Sequence, residues 1–283
     1  FLADSLSSEL SARLKPIKGL NLVSQFASWD IPDELSPKEI AERLRVNYVL
    51  DGKILITGST HQLRITLSNK GGDLIWQREY KASPATIQQL TRRIADHLSN
   101  ELNIPTTVEN DEVISRIYTT NGAAYKYYLL GSDLLRQSSE QDVLGKAKVN
   151  FNNAIQEDSR FARSYSGLCR VHIRLYEGNN SAEDFEAAER ACNRALTLQS
   201  TDSDAYIALS NLYLYSGQED LAESQIREAI RLDPDNVDAY LTLGRILHNL
   251  KKPTEALAAY NQAVSKQPGY WRSFNARGIH YYR

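Results

Sequence analysis

Methionine is absent from all 283 residues, and the chain opens at Phe1 without an initiator residue. A piece of a longer protein is expected from that start. No run of about 18 apolar residues occurs, which excludes a bilayer-spanning helix within these residues. A basic-then-apolar leader is also missing. Basic excess is lacking too: 33 Lys and Arg face 35 Asp and Glu, for a formal charge of −2. That argues against a nucleic-acid-binding face, which needs clustered positive charge. Cysteine occurs twice, at Cys169 and Cys192. Five histidines (His61, His97, His172, His248 and His280) are scattered without metal-ligand spacing. Asp233, Asp235 and Asp238 lack the glycine and distal glutamate of a calcium loop and read as a solvated turn. Lys70-Gly71-Gly72-Asp73 has no Gly-Lys-Ser/Thr pattern and no helix after it, so it reads as a hairpin turn. No catalytic residue, cofactor site or metal site is expected.

What is present is ordinary for a folded protein: 42% apolar and 24% charged residues, enough for one or two domains. The carboxy-terminal half repeats itself. Tyr206, Leu209, Ser210 and Tyr213 recur 34 residues later as Tyr240, Leu243, Gly244 and Leu247. Ala222, Ala229 and Pro234 recur as Ala256, Ala263 and Pro268. Aromatic, small and proline positions in this order at a period of 34 mark a helix-turn-helix solenoid of the tetratricopeptide type. Two weaker repeats precede these, carried by Tyr127, Leu130, Gly131 and Leu134, then by Tyr165, Leu168, Cys169 and His172. The second is longer than 34 residues, and its extra residues are expected in a turn around Tyr176 to Asp184. A fifth repeat starts at Trp271 and stops after one helix. Small residues (Gly131, Ala222, Gly244, Ala256) should let helices approach. Tyr206, Tyr240 and Phe274 should fill gaps between repeats.

The first 105 residues read differently. Leu2, Leu6, Leu10 and Leu14 share one helical face. Leu20 to Phe26 reads as a short strand. Ser36-Pro37 signals a helix start. Tyr48 to Thr57, Gln62 to Leu67 and Leu74 to Tyr80 read as strands joined by turns at Gly58-Ser59 and Lys70 to Asp73. A helix from Ser83-Pro84 follows, with Ile87, Leu90, Ile94 and Leu98 inward. The expected fold class is α+β: an α/β sandwich over 1–105, a linker over 106–121, and an all-α solenoid of four and a half repeats over 122–283.

The segments Phe1 to Leu10, Ile40 to Gly52, Leu63-Arg64-Ile65-Thr66 and Leu74-Ile75-Trp76 resemble the TolB-like amino-terminal domain. They are similar to its patterns F-x-D-G-L-T-E-E-L, I-A-x-x-L-x-V-x-Y-V-L-x-G, V-R-I-T and H-L-W. In that family the domain precedes tetratricopeptide repeats on the extracytoplasmic side of single-pass bacterial membrane proteins. Their cytoplasmic part is a CadC-like winged-helix regulator, a cyclase or a protein kinase. The resemblance thus implies a non-enzymatic sensory and protein-interaction region of a membrane-anchored signalling protein, on the periplasmic side of the inner membrane with its anchor upstream. The alternatives are a soluble periplasmic scaffold, or the accessory region of a cyclase or kinase whose catalytic domain lies outside these residues.

The inner face of such a solenoid is its usual ligand surface. Arg163, Ser166, Arg170, Asn211, Arg245, Arg272 and Asn275 are expected there, and four arginines on one face suit an acidic protein or peptide partner. The carboxylate clamp of chaperone-binding tetratricopeptide domains is missing, because its first positions are Tyr128 and Ser132 here. Tyr281 and Tyr282 lack a partner helix, so capping by a second copy, a homodimer, is a further expectation. Cys169 and Cys192 fall on the two helices of the second repeat. Packed thiols are the first reading and a disulfide the alternative, permitted by an oxidising compartment.

Overall fold

The computed structural model describes residues 2–14, 17, 19–23, 31–32, 34–57, 60–83, 86–105, 107–268 and 270–282. They fall into two compact units, 1–117 and 118–283.

In the first unit α1 (Leu2–Leu14) buries Leu6, Leu10 and Leu14, the four-residue spacing that defines one helical face. Helix α2 (Pro37–Leu44) opens on a capping box. The Ser36 amide donates to Glu39 Oε2 at 2.8 Å, the Glu39 amide donates to Ser36 Oγ, and Pro37 fills the first helical position. Strands β1 (Tyr48–Thr57), β2 (Thr60–Asn69) and β3 (Leu74–Ala82) form an antiparallel sheet in the order β1-β2-β3. Leu63, Ile65 and Leu67 alternate along β2 and are buried with Trp76 and Tyr80 of β3, their cross-strand neighbours. Helix α3 (Ile87–Glu101) covers that face. His97 places its ring 6.2 Å from Trp76, and its Nδ1 hydrogen-bonds Tyr80 Oη at 2.8 Å. Between these pairs the other face carries Asp51, Lys53, Arg64 and Glu79, the last two ion-paired at 2.8 Å. A short helix, α4 (Val108–Ser115), follows.

The strand expected at Leu20 to Phe26 is not there over its first part. Residues 20–23 make no ladder, because among the described residues β1 and β3 pair with β2 alone. Residues 24–26 lie outside the described residues, as do Phe1, the Gly58-Ser59 turn, Pro84 and Arg283.

The second unit is a row of helix pairs. They are α5 (Gly122–Gln137) with α6 (Gln141–Glu157), α7 (Ala162–Asn179) with α8 (Ala182–Leu198), α9 (Ser203–Tyr215) with α10 (Glu219–Leu232), and α11 (Val237–Asn249) with α12 (Pro253–Lys266). A last helix, α13 (Trp271–Tyr282), closes the row. Each pair packs internally and on the next pair. First helices also touch the first helix of the following pair: α5 with α7, α7 with α9, α9 with α11, α11 with α13. That places them on the inner side of the curve. Ala222, Ala229, Ala256 and Ala263 are wholly buried where pairs cross. Pro234 and Pro268 each follow a helix end, where their missing N–H costs nothing. Phe274, expected between repeats, is instead 44% exposed, because no helix packs beyond α13 among the described residues.

The extra residues of the second repeat do not form a long turn. They lengthen both helices: α7 has 18 residues and α8 has 17, against 13 and 14 in α9 and α10. Tyr176 carries α7 onward because its ring packs on Phe185 of α8, centroids 5.5 Å apart. The stop comes from Asn180, in the left-handed region at φ 51°. Asn179 Oδ1 accepts from the Ser181 amide at 2.8 Å, so Asn180 and Ser181 suffice as the turn.

Candidate functional site

The inner face is built by α7, α9 and α11. At its first end the structure ties down two of the expected residues. The Arg163 guanidinium stacks 3.6 Å from the centre of the Tyr118 ring, with Tyr128 at 5.9 Å. Ser166 Oγ donates to Asp202 Oδ2 at 2.8 Å. Asp202 caps α9, accepting from the Ala205 amide. Burial pushes the Asp202 carboxyl above its ordinary range and the charge of Asp204 adds to this, against the Ser166 hydrogen bond.

Further along, Arg170 is exposed, one helical turn before Arg174. Arg174 Nη1 donates to the Leu135 carbonyl and, at 3.3 Å, to the Ser138 carbonyl, closing the end of α5. Burial holds the Arg174 guanidinium below its usual range, and the neighbouring Arg170 charge works the same way. Arg245 of α11 reaches back to α9. Its Nη2 donates to Asn211 Oδ1 at 3.3 Å, and its guanidinium lies 5.7 Å from the Tyr215 ring centre. Burial and a hydrogen bond to Glu177 raise the Tyr215 phenol, while the Arg245 charge lowers it. Glu177 reaches this place because α7 is two residues short of its end there, in the extension.

Glu177 therefore links two neighbourhoods, acting on Arg174 beside Arg170 and on Tyr215 beside Arg245. Asn211 and Arg245 are brought together as one pair. Arg272 and Asn275 sit exposed on α13, with the Arg272 guanidinium 5.7 Å from the Trp271 ring. Sequence reasoning missed Arg174, Glu177, Tyr215 and Tyr118. Arg174 follows Arg170 by four residues, a spacing that shares one helical face and could have revealed it. Tyr118 precedes the first repeat, so no periodicity reaches it.

His172 is a packing residue. It is buried, and its Nδ1 lies 2.8 Å from Asp184 Oδ1. Burial pushes the imidazole below its ordinary range despite the opposing pull of Asp184, so Nδ1–H of a neutral ring donates to the carboxylate. Burial alone would raise Asp184, but hydrogen bonds from Asn179 and His172 outweigh it and hold the carboxyl low.

Cys169 and Cys192 take the alternative reading: they form a disulfide linking α7 to α8, Cα atoms 5.2 Å apart and both residues fully buried. Replacing both by alanine is expected to cost about 3 kcal/mol, from the loop the bridge closes in the unfolded chain. Thiol titration of the denatured, unreduced protein should find no free thiol. Two titratable thiols would refute the bridge. Among the described residues, no three His, Cys, Asp or Glu side chains are placed to hold a metal ion. No described helix is long and apolar enough to cross a membrane.

Residues 207–270 match the family model of the tetratricopeptide repeat. The chain is 26% identical over 98 residues to tetratricopeptide repeat protein 21A of Mus musculus, covering 35% of this chain and 8% of that protein. It is 28% identical over 135 residues to the protein CTR9 homolog of Arabidopsis thaliana, covering 46% of this chain and 11% of that protein. The chain thus spans only a small part of the curated relatives it matches. Among solved structures, TTC0263, a thermophilic TPR protein of Thermus thermophilus, aligns with 69% of this chain and 100% of its own. The TM-score is 0.53 at 17% identity, a likeness of fold alone. Residues 207–270 are thus tetratricopeptide repeats, and the helix pairs around them share the fold of such a solenoid.

Proposed function

We propose that this chain is a non-enzymatic protein-interaction region whose inner solenoid face receives an acidic peptide segment. The observation that carries this reading is a string of groups across the inner face: exposed Arg170 next to Arg174, Glu177 next to Arg174 and Tyr215, and exposed Arg245 next to Tyr215. Guanidinium forks on one face suit carboxylates. Changing Arg170→Glu together with Arg245→Glu reverses two charges on exposed side chains. Binding of a partner recovered by pull-down should fall at least about tenfold, since like charges facing each other oppose docking. The circular dichroism spectrum should stay unchanged. Unimpaired binding would dismiss this face.

The wider setting in this reading is the extracytoplasmic sensory part of a membrane-anchored, CadC-like bacterial regulator. The TolB-like pattern of the first unit supports it. The buried disulfide supports an oxidising compartment such as the periplasm. A free periplasmic scaffold, or the accessory region of a cyclase or kinase, fits the same bridge. The upstream gene sequence separates the three. A winged helix and a membrane span mean regulator, a catalytic domain means enzyme accessory, and a cleavable leader alone means free scaffold.

A further inference from the structure

The first unit carries a cavity of about 350 Å³ against the outer face of α3. Helical spacing makes it. Ile87, Leu90, Ile94 and Leu98 turn inward and are buried, which leaves Gln88, Arg92 and Asp96 in one outer row and Gln89 with Arg93 in the next. The opposite wall is Arg116 and Ile117, beyond the end of α4. That wall is anchored from inside the unit. Arg13 of α1 is fully buried beside Glu9, and its Nη1 donates to the Arg116 carbonyl at 3.0 Å. Arg116 is thus held by its backbone, and its side chain is left to face the cavity.

The charges do not balance. Among the described residues, three guanidinium groups line the cavity against the single carboxylate of Asp96, which lies 4.0 Å from Arg92. The Arg93 guanidinium is 5.5 Å from the Tyr80 ring centre. Arg78 extends the same field: with Arg93 it adds to the burial that lowers the neighbouring His97 imidazole, which is therefore neutral near pH 7. Gln88 and Gln89 lie in the first turn of α3, where the helix dipole adds partial positive charge. Ile117 supplies an apolar side.

We propose that this cavity binds a phosphate monoester, its dianionic head between Arg92, Arg93 and Arg116 and its organic part against Ile117. Two uncompensated positive charges match the dianion that a monoester carries near pH 7. Planar guanidinium forks bind its oxygens in pairs. The volume exceeds what a bare ion needs and is that of a small-ligand site. This inference is independent of the solenoid face.

The test is calorimetry on the full 283-residue chain at low salt with phenyl phosphate, inorganic phosphate and benzoate, beside sedimentation with vesicles containing phosphatidic acid. Phenyl phosphate should saturate one site with Kd about 1 mM or tighter, and inorganic phosphate should compete for it. Arg92→Gln with Arg116→Gln should weaken binding at least about tenfold. Both side chains are exposed, so the thermal midpoint should hold and report an intact fold. Binding to the vesicles alone, lost in the same variant, would assign the phosphate to a lipid headgroup. Benzoate binding as tight as phenyl phosphate would overturn the proposal. So would equal binding by the variant, or no saturation by any phosphate probe below about 10 mM.

Discussion

Ala222→Glu is expected to cost the solenoid about 4 kcal/mol or more, since it combines overpacking with a buried charge. Ala222 is wholly buried where α9 crosses α10, and Ser210 Oγ donates to its carbonyl at 2.8 Å. The surroundings are Leu209, Tyr213 and Ile226, all buried. Leu209 and Ile226 offer a carboxylate no partner, and the Tyr213 hydroxyl is already donated to Glu189 Oε1 at 2.7 Å, so the new carboxyl either protonates or stays unpaired, and both destabilise the fold. For a unit of this size the loss lowers the melting temperature by roughly 10 °C. Leu221→Glu, one residue earlier and 46% exposed, is the matched control and should stay within about 0.5 kcal/mol. Thermal denaturation followed by circular dichroism reads both. Equal melting temperatures for the two variants would remove the repeat register that places Ala222 at the crossing.

The second large effect lies in the other unit. Arg13→Ala should destabilise it by about 3–5 kcal/mol, because it takes an ionic partner from buried Glu9 and the donor from the Arg116 carbonyl. Arg13 and Glu9 are both buried, 3.9 Å apart at successive turns of α1. The pair itself adds little net stability, since removing both charges from water is costly. Arg13→Leu with Glu9→Leu should therefore recover most of the loss. Hydrogen exchange resolved for α1 and α3 reports this unit separately from the solenoid. A change under about 1 kcal/mol in Arg13→Ala would show that the ion pair carries no weight.

These two sites differ in how far the sequence discloses them. Ala222 is legible, because its 34-residue echo at Ala256 names the helix crossing unaided. Strands β1 to β3 are legible through alternation and turn residues, and α1 through its leucines. Arg13 is not. It sits on the helix as an ordinary basic residue in the last turn, and only contact with a carbonyl 103 positions away buries it. Tertiary closure of this kind leaves no periodic trace. The lengthened α7 hides for a local reason. Gly178, Asn179, Asn180 and Ser181 have the composition of a long turn, yet Tyr176 packing on Phe185 continues the helix through the first two of them. On the inner face, Asn211 and Arg245 are legible as equivalent positions of successive repeats, and they do meet. Arg163 is legible as an inner-face residue but not as one stacked on Tyr118, whose position no repeat encodes. Glu177 follows from the unread helix extension, so the tempering of positive charge near Arg245 was invisible too.

The bridge between Cys169 and Cys192 has a consequence for the order in which the solenoid comes apart. A linear array is a chain of nearest-neighbour couplings, and opening spreads from whichever end is weakest. One such opening starts at α13, whose Tyr282 is 94% exposed among the described residues. Opening from there passes α12, α11, α10 and α9 in turn without meeting a covalent tie. At α8 it meets one, and the melted form of that pair is disfavoured by the loop the bridge closes. The staple thus works as a stop in a one-dimensional zipper. It divides the solenoid into a carboxy-terminal stretch that can fray and a stapled pair that resists, with Arg245 on the fraying side and Arg170 on the stapled side.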